Sequence, residues 1–252
     1  MHRPAGIIDA DLLLLAYRGG IFPMSDARDD PEVFWVEPKR RAILPLDQFH
    51  LSHSLARTLR RGGFTVTCNA AFADVMQACA GPRRDGDDTW ISQRIEASYR
   101  NLHTEGHAHS IECWRDGALV GGLYGVGFDA VFCGESMFSR ATDASKVALA
   151  WLVAAMRRGG MRLLDCQFLT PHLASLGAIE ITQNRYLKLL RAAQRPALGD
   201  AEGAEAGLAE AAGDGEALAL PVAFAAVLGD AAAAGSSSSP GNFIAQSLTQ
   251  TS

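Results

Sequence analysis

The stretch Ala108–Val126 reads A-H-S-I-E-C-W-R-D-G-A-L-V-G-G-L-Y-G-V, and Phe132–Ser139 follows as F-C-G-E-S-M-F-S. Alternating apolar residues flank the Asp116-Gly117 pair, a two-residue hairpin signal that makes Ile111–Trp114 and Leu119–Val126 neighbouring strands. Glycine is costly inside strands. Gly121, Gly122, Gly125 and Gly134 therefore predict bulges, or a place where a ligand approaches the backbone closely.

Polar chemistry returns at Asp165-Cys166-Gln167. Arg162–Phe168 is short and apolar and follows the Gly159-Gly160 helix stop, so it reads as a central strand. Strand alternation puts Asp165 and Gln167 on one face and Cys166 on the other. A buried carboxylate beside a buried amide must be hydrogen-bonded. The pair is either an oriented donor and acceptor in a site or a polar tie between two core elements.

From Pro196 the composition changes to Ala, Gly and Ser, including Gly235-Ser236-Ser237-Ser238-Ser239-Pro240-Gly241. This tail reads as mostly disordered, with a short helix or docking segment around Leu218–Leu228. All 23 Lys and Arg fall within residues 1–195, against 21 of the 28 acids. That part is therefore +2 although the whole chain is −5, so an acidic balance does not exclude a nucleic-acid partner. The five cysteines have no C-x-x-C spacing and lie in apolar segments, as reduced cytoplasmic thiols do. Leu12–Leu15 is too short to span a bilayer, so no membrane association is expected.

Along the chain, Asp9 or Asp11 caps a helix ending at Gly19-Gly20. A small N-terminal lobe follows, over residues 1–47. Ser52 starts a basic helix, Phe64–Cys68 is a strand, Asn69 caps a helix to Ala80, and Pro82–Asp88 is a polar loop. A helix runs to about Glu105, then come the hairpin, a third strand (Ala130–Phe138), an Asp143-capped helix (Ala144–Arg158) and the Asp165 strand. The order predicts an α+β layer in which an antiparallel meander joins a helix crossover, as in acyltransferase-type sheets.

His53, Arg57, Arg60 and Arg61 share one helix face, with Lys39, Arg40 and Arg41 shortly before; such a face suits phosphates or is simply solvated. His103, His107, His109 and Glu112 lack metal-site spacing, so a hydrogen-bonded structural histidine beside Glu112 is expected and no metal. Trp35, Trp90, Tyr99, Phe132, Met137 and Phe138 are either core or the lining of an apolar pocket. No phosphate-loop, dinucleotide or nucleophile-elbow motif is present.

The ordered segments A-Y-R-G-G-I-F-P-M (Ala16–Met24), F-W-V-E-P-K-R-R-A-I-L-P (Phe34–Pro45), F-H-L-S-H-S-L (Phe49–Leu55), T-W-I (Thr89–Ile91), G-H-A-H-S-I-E (Gly106–Glu112), V-G-G-L-Y-G-V, G-E-S-M-F-S, A-S-K (Ala144–Lys146), D-C-Q and S-L-G-A (Ser175–Ala178) resemble the leucyl/phenylalanyl-tRNA-protein transferase family. Departures include Val36 for a second Trp and Thr170-Pro171 for Asn-Asp. The resemblance implies a small N-terminal lobe (1–47), an acyl-CoA N-acyltransferase-like (GNAT-like) domain with a mixed central sheet (48–195), and an acidic tail (196–252) outside it.

It further implies transfer of Leu or Phe, with Met also considered, from aminoacyl-tRNA (Leu-tRNA, Phe-tRNA) to proteins with N-terminal Arg or Lys. That tags them for N-end-rule degradation, without metal or organic cofactor. By resemblance Gln167 contacts the acceptor amine, Asp165 orients Gln167, and Glu135 helps hold the acceptor's first residue. Trp90, Tyr99, Leu123, Phe132 and Met137 line the donor side-chain pocket, Trp35 lies at its entrance, and Arg57, Arg60 and Arg61 meet the acceptor stem. Asp165→Ala or Gln167→Ala is expected to slow transfer with the fold intact. The alternatives are an acetyl-CoA-dependent N-acetyltransferase and a noncatalytic tRNA-binding adaptor.

Overall fold

Asp116 and Gly117 both adopt positive φ (52° and 76°), the backbone a tight hairpin needs, and join strands Ala108–Arg115 and Ala118–Phe128. The computed structural model describes residues 6–81, 89–194, 217–234 and 239–249. In chain order the elements are α1 (Ala10–Arg18), β1 (Phe22–Met24), β2 (Phe34–Val36), β3 (Arg40–Ile43), α2 (His53–Arg61), β4 (Thr65–Cys68), α3 (Phe72–Cys79), α4 (Gln93–Thr104), β5 and β6 (the hairpin strands), β7 (Val131–Ser139), α5 (Ala144–Arg158), β8 (Leu163–Gln167), α6 (Pro171–Ala174), β9 (Ile179–Thr182), α7 (Gln183–Gln194), α8 (Leu220–Ala233) and α9 (Pro240–Thr249).

The central sheet is mixed and seven-stranded, in the order β4-β5-β6-β7-β8-β3-β9. Among the described residues only the β7–β8 pair is parallel, and α5 is its crossover. This is the expected α+β, GNAT-like arrangement. Helix α5, apolar around most of its surface, covers one face of the sheet with Leu123, Phe132 and Leu164; α3, α4, α1 and α7 cover the other, against Tyr124, Val126 and Leu163.

Two features of this sheet position the site. Val131, Phe132 and Cys133 pair with Leu163, Leu164 and Asp165, but β7 runs on to Ser139 without β8, so the strands part beyond Cys133. In β6–β7, Tyr124 pairs with Ser136 and Gly125 with Gly134, leaving Glu135 as the extra residue of a bulge. The Gly125 position is enforced, because a Cβ there would lie 2.2 Å from the Cys133 carbonyl oxygen.

The expected 1–47 lobe does not close at residue 47. Its strand β3 is hydrogen-bonded between β8 and β9 in the main sheet, because Ala42 and Ile43 belong to a buried apolar run. Asn69 does not cap α3; its Oδ1 accepts from the Ser110 N–H, and Glu112 receives the N–H groups of Ala70 and Ala71. Asp143 precedes α5 at φ 66° without a side-chain cap and pairs with Lys146 at 3.1 Å.

The short helix or docking segment expected around Leu218–Leu228 is α8, and the expected disorder is corrected for α9. Helix α8 buries Leu220, Ala223, Phe224, Val227 and Ala231, with the Phe224 ring 5.4 Å from Trp151 of α5. Helix α9 buries Ile244, Ala245 and Leu248 in the same core. Small residues make this docking possible: a Cβ on Gly241 would lie 2.2 Å from the Leu59 carbonyl oxygen of α2. The expected Pro82–Asp88 loop and residues 195–216 lie outside the described residues.

Candidate active site

Strand β8 delivers Asp165 and Gln167 to one face as alternation requires, and both are buried (0% and 6% exposed). Gln167 departs from strand geometry, with φ +61° in the left-handed region that non-glycine residues rarely occupy. What holds it there is Asp165, whose Oδ1 accepts the Gln167 backbone N–H at 2.8 Å. Asp165 thus orients Gln167 through the main chain; the Gln167 amide is bonded elsewhere.

Asp165 in turn is held by Arg41 of β3. Arg41 Nε donates to Oδ1 at 2.9 Å and Nη2 to Oδ2 at 2.5 Å, while Nη1 donates to the Gly20 carbonyl oxygen at 3.0 Å. Tyr186 of α7 adds an O–H donation to Oδ2 at 2.9 Å. The guanidinium lies between the rings of Phe22 and Tyr186, at 4.7 and 4.5 Å. Burial disfavours the Arg41 charge, but the Asp165 carboxylate outweighs it and leaves the Arg41 pKa raised. Arg41 therefore does not belong to the basic face with Lys39. Arg40 is also committed, to Glu180 at 2.8 Å.

The bulge turns Glu135 toward the same place. Gln167 Nε2 donates to Glu135 Oε1 at 2.8 Å, and the Tyr99 O–H donates to Oε2 at 3.4 Å, with Tyr17 Oη in close contact with Tyr99 Oη. Burial pushes the Glu135 carboxyl up to about 7, hydrogen bonds from Tyr17 and Gln167 pull it back, the Asp165 charge raises it and Arg41 lowers it. With Nε2 committed to Glu135, Oε1 is the Gln167 amide atom left for a ligand. The strand parting thus holds two unlike carboxyl groups. One is saturated with donors and a cation; the other rests on neutral partners.

The five residues of the expected donor pocket are not brought together. Leu123, Phe132 and Met137 lie on the α5 face, where Leu123 pairs with Met137, whereas Trp90 and Tyr99 pack on the opposite face. The sheet separates the groups because α5 covers the face of Leu123, Phe132 and Met137, whereas α4, which carries Tyr99, covers the other. Trp35 is 41% exposed on β2 of a separate two-stranded sheet. Arg57, Arg60 and Arg61 do share the exposed side of α2, and none forms an ion pair among the described residues.

His103, His107, His109 and Glu112 do not converge on a metal, and no such cluster occurs among the described residues. His109 Nδ1 accepts from Asn69 Nδ2 at 3.0 Å, and burial, with His103 and His107 adding, pulls its pKa down to about 4. Glu112 bonds to Ser110 and Thr67 rather than to that histidine. Arg41, Tyr17 and Tyr186 escape the sequence patterns. The available signal is the buried Asp165 itself, which demands a cation.

A mixed sheet whose parallel strands part over a polar pair, with an α-helical crossover behind, defines an acyltransferase-type protein. The model of the leucyl/phenylalanyl-tRNA protein transferase family matches residues 43–191, and that of its N-terminal domain matches residues 6–39. The leucyl/phenylalanyl-tRNA--protein transferase of Novosphingobium aromaticivorans is 66% identical over 97% of each chain. That of Rhizorhabdus wittichii is 61% identical over 73% of this chain and 74% of its own, and that of Ruegeria sp. 56% over 73% and 85%. The chain belongs to the leucyl/phenylalanyl-tRNA protein transferase family. Among the described residues no helix is long and apolar enough to cross a membrane.

Proposed function

We propose that this chain is an aminoacyltransferase that moves Leu or Phe from aminoacyl-tRNA to the α-amine of proteins beginning with Arg or Lys. The observation that carries this is the Glu135–Gln167 pair where β7 and β8 part, inside the family match. The donor is an ester already activated toward aminolysis, so holding the amine against its carbonyl supplies much of the acceleration. An α-amine with a pKa near ~8 is partly neutral at cytoplasmic pH.

Gln167 Oε1 accepts from the amine N–H, and the Glu135 carboxylate faces the cationic first residue. Asp165 and Arg41 fix the Gln167 backbone. Arg57, Arg60 and Arg61 offer phosphate contacts for the acceptor stem, and exposed Trp35 offers an apolar edge near the entrance. The products are cytoplasmic proteins tagged for N-end-rule degradation.

The test is to mix the protein with radiolabelled Leu-tRNA and peptides differing only in a first residue of Arg, Lys or Ala. Label on the Arg and Lys peptides alone is the expected result. No transfer to any peptide overturns it: acetyl-CoA turnover would then identify an acetyltransferase, and tRNA binding without turnover an adaptor.

A further inference from the structure

We infer that Glu135, rather than Asp165 or Gln167, is the proton acceptor of the transfer, a role that rests on the proposed aminoacyl-transfer reading. The geometry excludes the other two groups. An amide is not a base at neutral pH. Asp165 is fully buried, already accepts from Arg41, Tyr186 and the Gln167 backbone, and touches Gln167 only through the main chain. A proton arriving there would displace a donor and leave Arg41 facing a neutral acid. Glu135 forms no ion pair among the described residues, and its carboxylate lies beside the Gln167 amide that faces the amine.

The groups facing Glu135 come from five elements: Tyr17 of α1, Tyr99 of α4, Asp165 of β8, Arg41 of β3, and Cys133 of its own strand. Tyr17 and Tyr99 have pKa values raised well above the usual phenol range, chiefly by burial, and stay neutral donors. A carboxyl held near neutrality by burial, with neutral donors on it, exchanges a proton at cytoplasmic pH where an ordinary glutamate is too weak a base.

The acceptor arrives as an α-ammonium, and the Glu135 carboxylate takes one of its protons, freeing the nitrogen lone pair. The nitrogen attacks the ester carbonyl carbon and a C–N bond forms. The C–O bond to the tRNA ribose then breaks, and a second nitrogen proton passes to the leaving ribose oxygen. An amide and a free tRNA hydroxyl result, and Glu135 returns its proton to solvent.

The test is the pH dependence of the single-turnover rate, at saturating Leu-tRNA and Arg-peptide, for wild type, Glu135→Gln and Tyr17→Phe. Wild type should show a limb rising through about 7 in addition to the amine limb near ~8. Glu135→Gln should lose the lower limb and about 10²-fold in rate. Tyr17→Phe removes a hydrogen bond that favours the Glu135 carboxylate, so its limb should move to higher pH, whether or not the glutamine variant folds.

A Glu135→Gln enzyme with the wild-type rate and profile, or one altered only in KM for the peptide, overturns the assignment and leaves Glu135 a holding group. An unmoved limb in Tyr17→Phe overturns it as well. Absence of transfer by wild type to any peptide overturns the underlying reading, which separates the two failures.

Discussion

The Arg41–Asp165 pair makes a quantitative demand on stability. Both side chains are essentially dry, at 1% and 0% exposed, and the carboxylate satisfies the guanidinium, the Tyr186 hydroxyl and the Gln167 N–H together. Removing one partner strands the other charge in the interior, at a cost of about 3–5 kcal/mol. Asp165→Ala also leaves the Gln167 N–H unpaired, adding about 1–3 kcal/mol. Asp165→Ala is therefore expected to lower stability as well as to slow transfer.

Urea denaturation of wild type, Arg41→Met, Asp165→Leu and the double variant measures this directly. Each single variant should lose several kcal/mol, and the double variant should cost less than the sum of the two by about 2 kcal/mol or more. Single variants within about 1 kcal/mol of wild type, or costs additive to within about 0.5 kcal/mol, would refute the argument that this pair clamps the site.

Glu135 contributes with the opposite sign. Its folded-state value near 7 lies above the ordinary 4.5, so the folded protein binds the extra proton between those values, and this group's contribution to stability falls as pH rises from about 4.5 to about 7. Glu135→Gln should be more stable than wild type by up to about 3 kcal/mol at pH 8, with the gain vanishing toward pH 4; melting curves with parallel pH dependence would contradict this. Phe224→Ala should cost about 3–5 kcal/mol in thermal or urea unfolding if α8 is part of the core, and a negligible cost would mean that the tail adds nothing to it.

Much of the sheet was legible because its signals are local. The Asp116-Gly117 turn, the glycines of β6 and β7, and the alternation of Asp165 with Gln167 depend on neighbours in sequence. Arg41 was not legible, because within Lys39-Arg40-Arg41 nothing local separates an exposed cation from one turned inward toward a carboxylate 124 residues away. The bulge that re-aims Glu135 arises from a register shift between two strands. The docking helix expected around Leu218–Leu228 is α8, seated by small residues, since a Cβ on Gly159 would lie 2.7 Å from the Ala223 Cβ; composition hid α9 instead, behind a serine- and glycine-rich stretch. The two groups of donor-pocket residues lie apart because Leu123, Phe132 and Met137 of β6 and β7 face α5, whereas Tyr99 of α4 and Trp90 before it pack on the other face of the sheet.

The central claim is that transfer takes place where β7 and β8 part, through Gln167. The most direct measurement is the single-turnover rate of Leu transfer to an Arg-initiated peptide by Gln167→Ala, at saturating Leu-tRNA, beside an unfolding curve for the same protein. A rate lowered by at least about 10²-fold with Leu-tRNA binding and the fold retained is predicted; a wild-type rate would place the chemistry elsewhere.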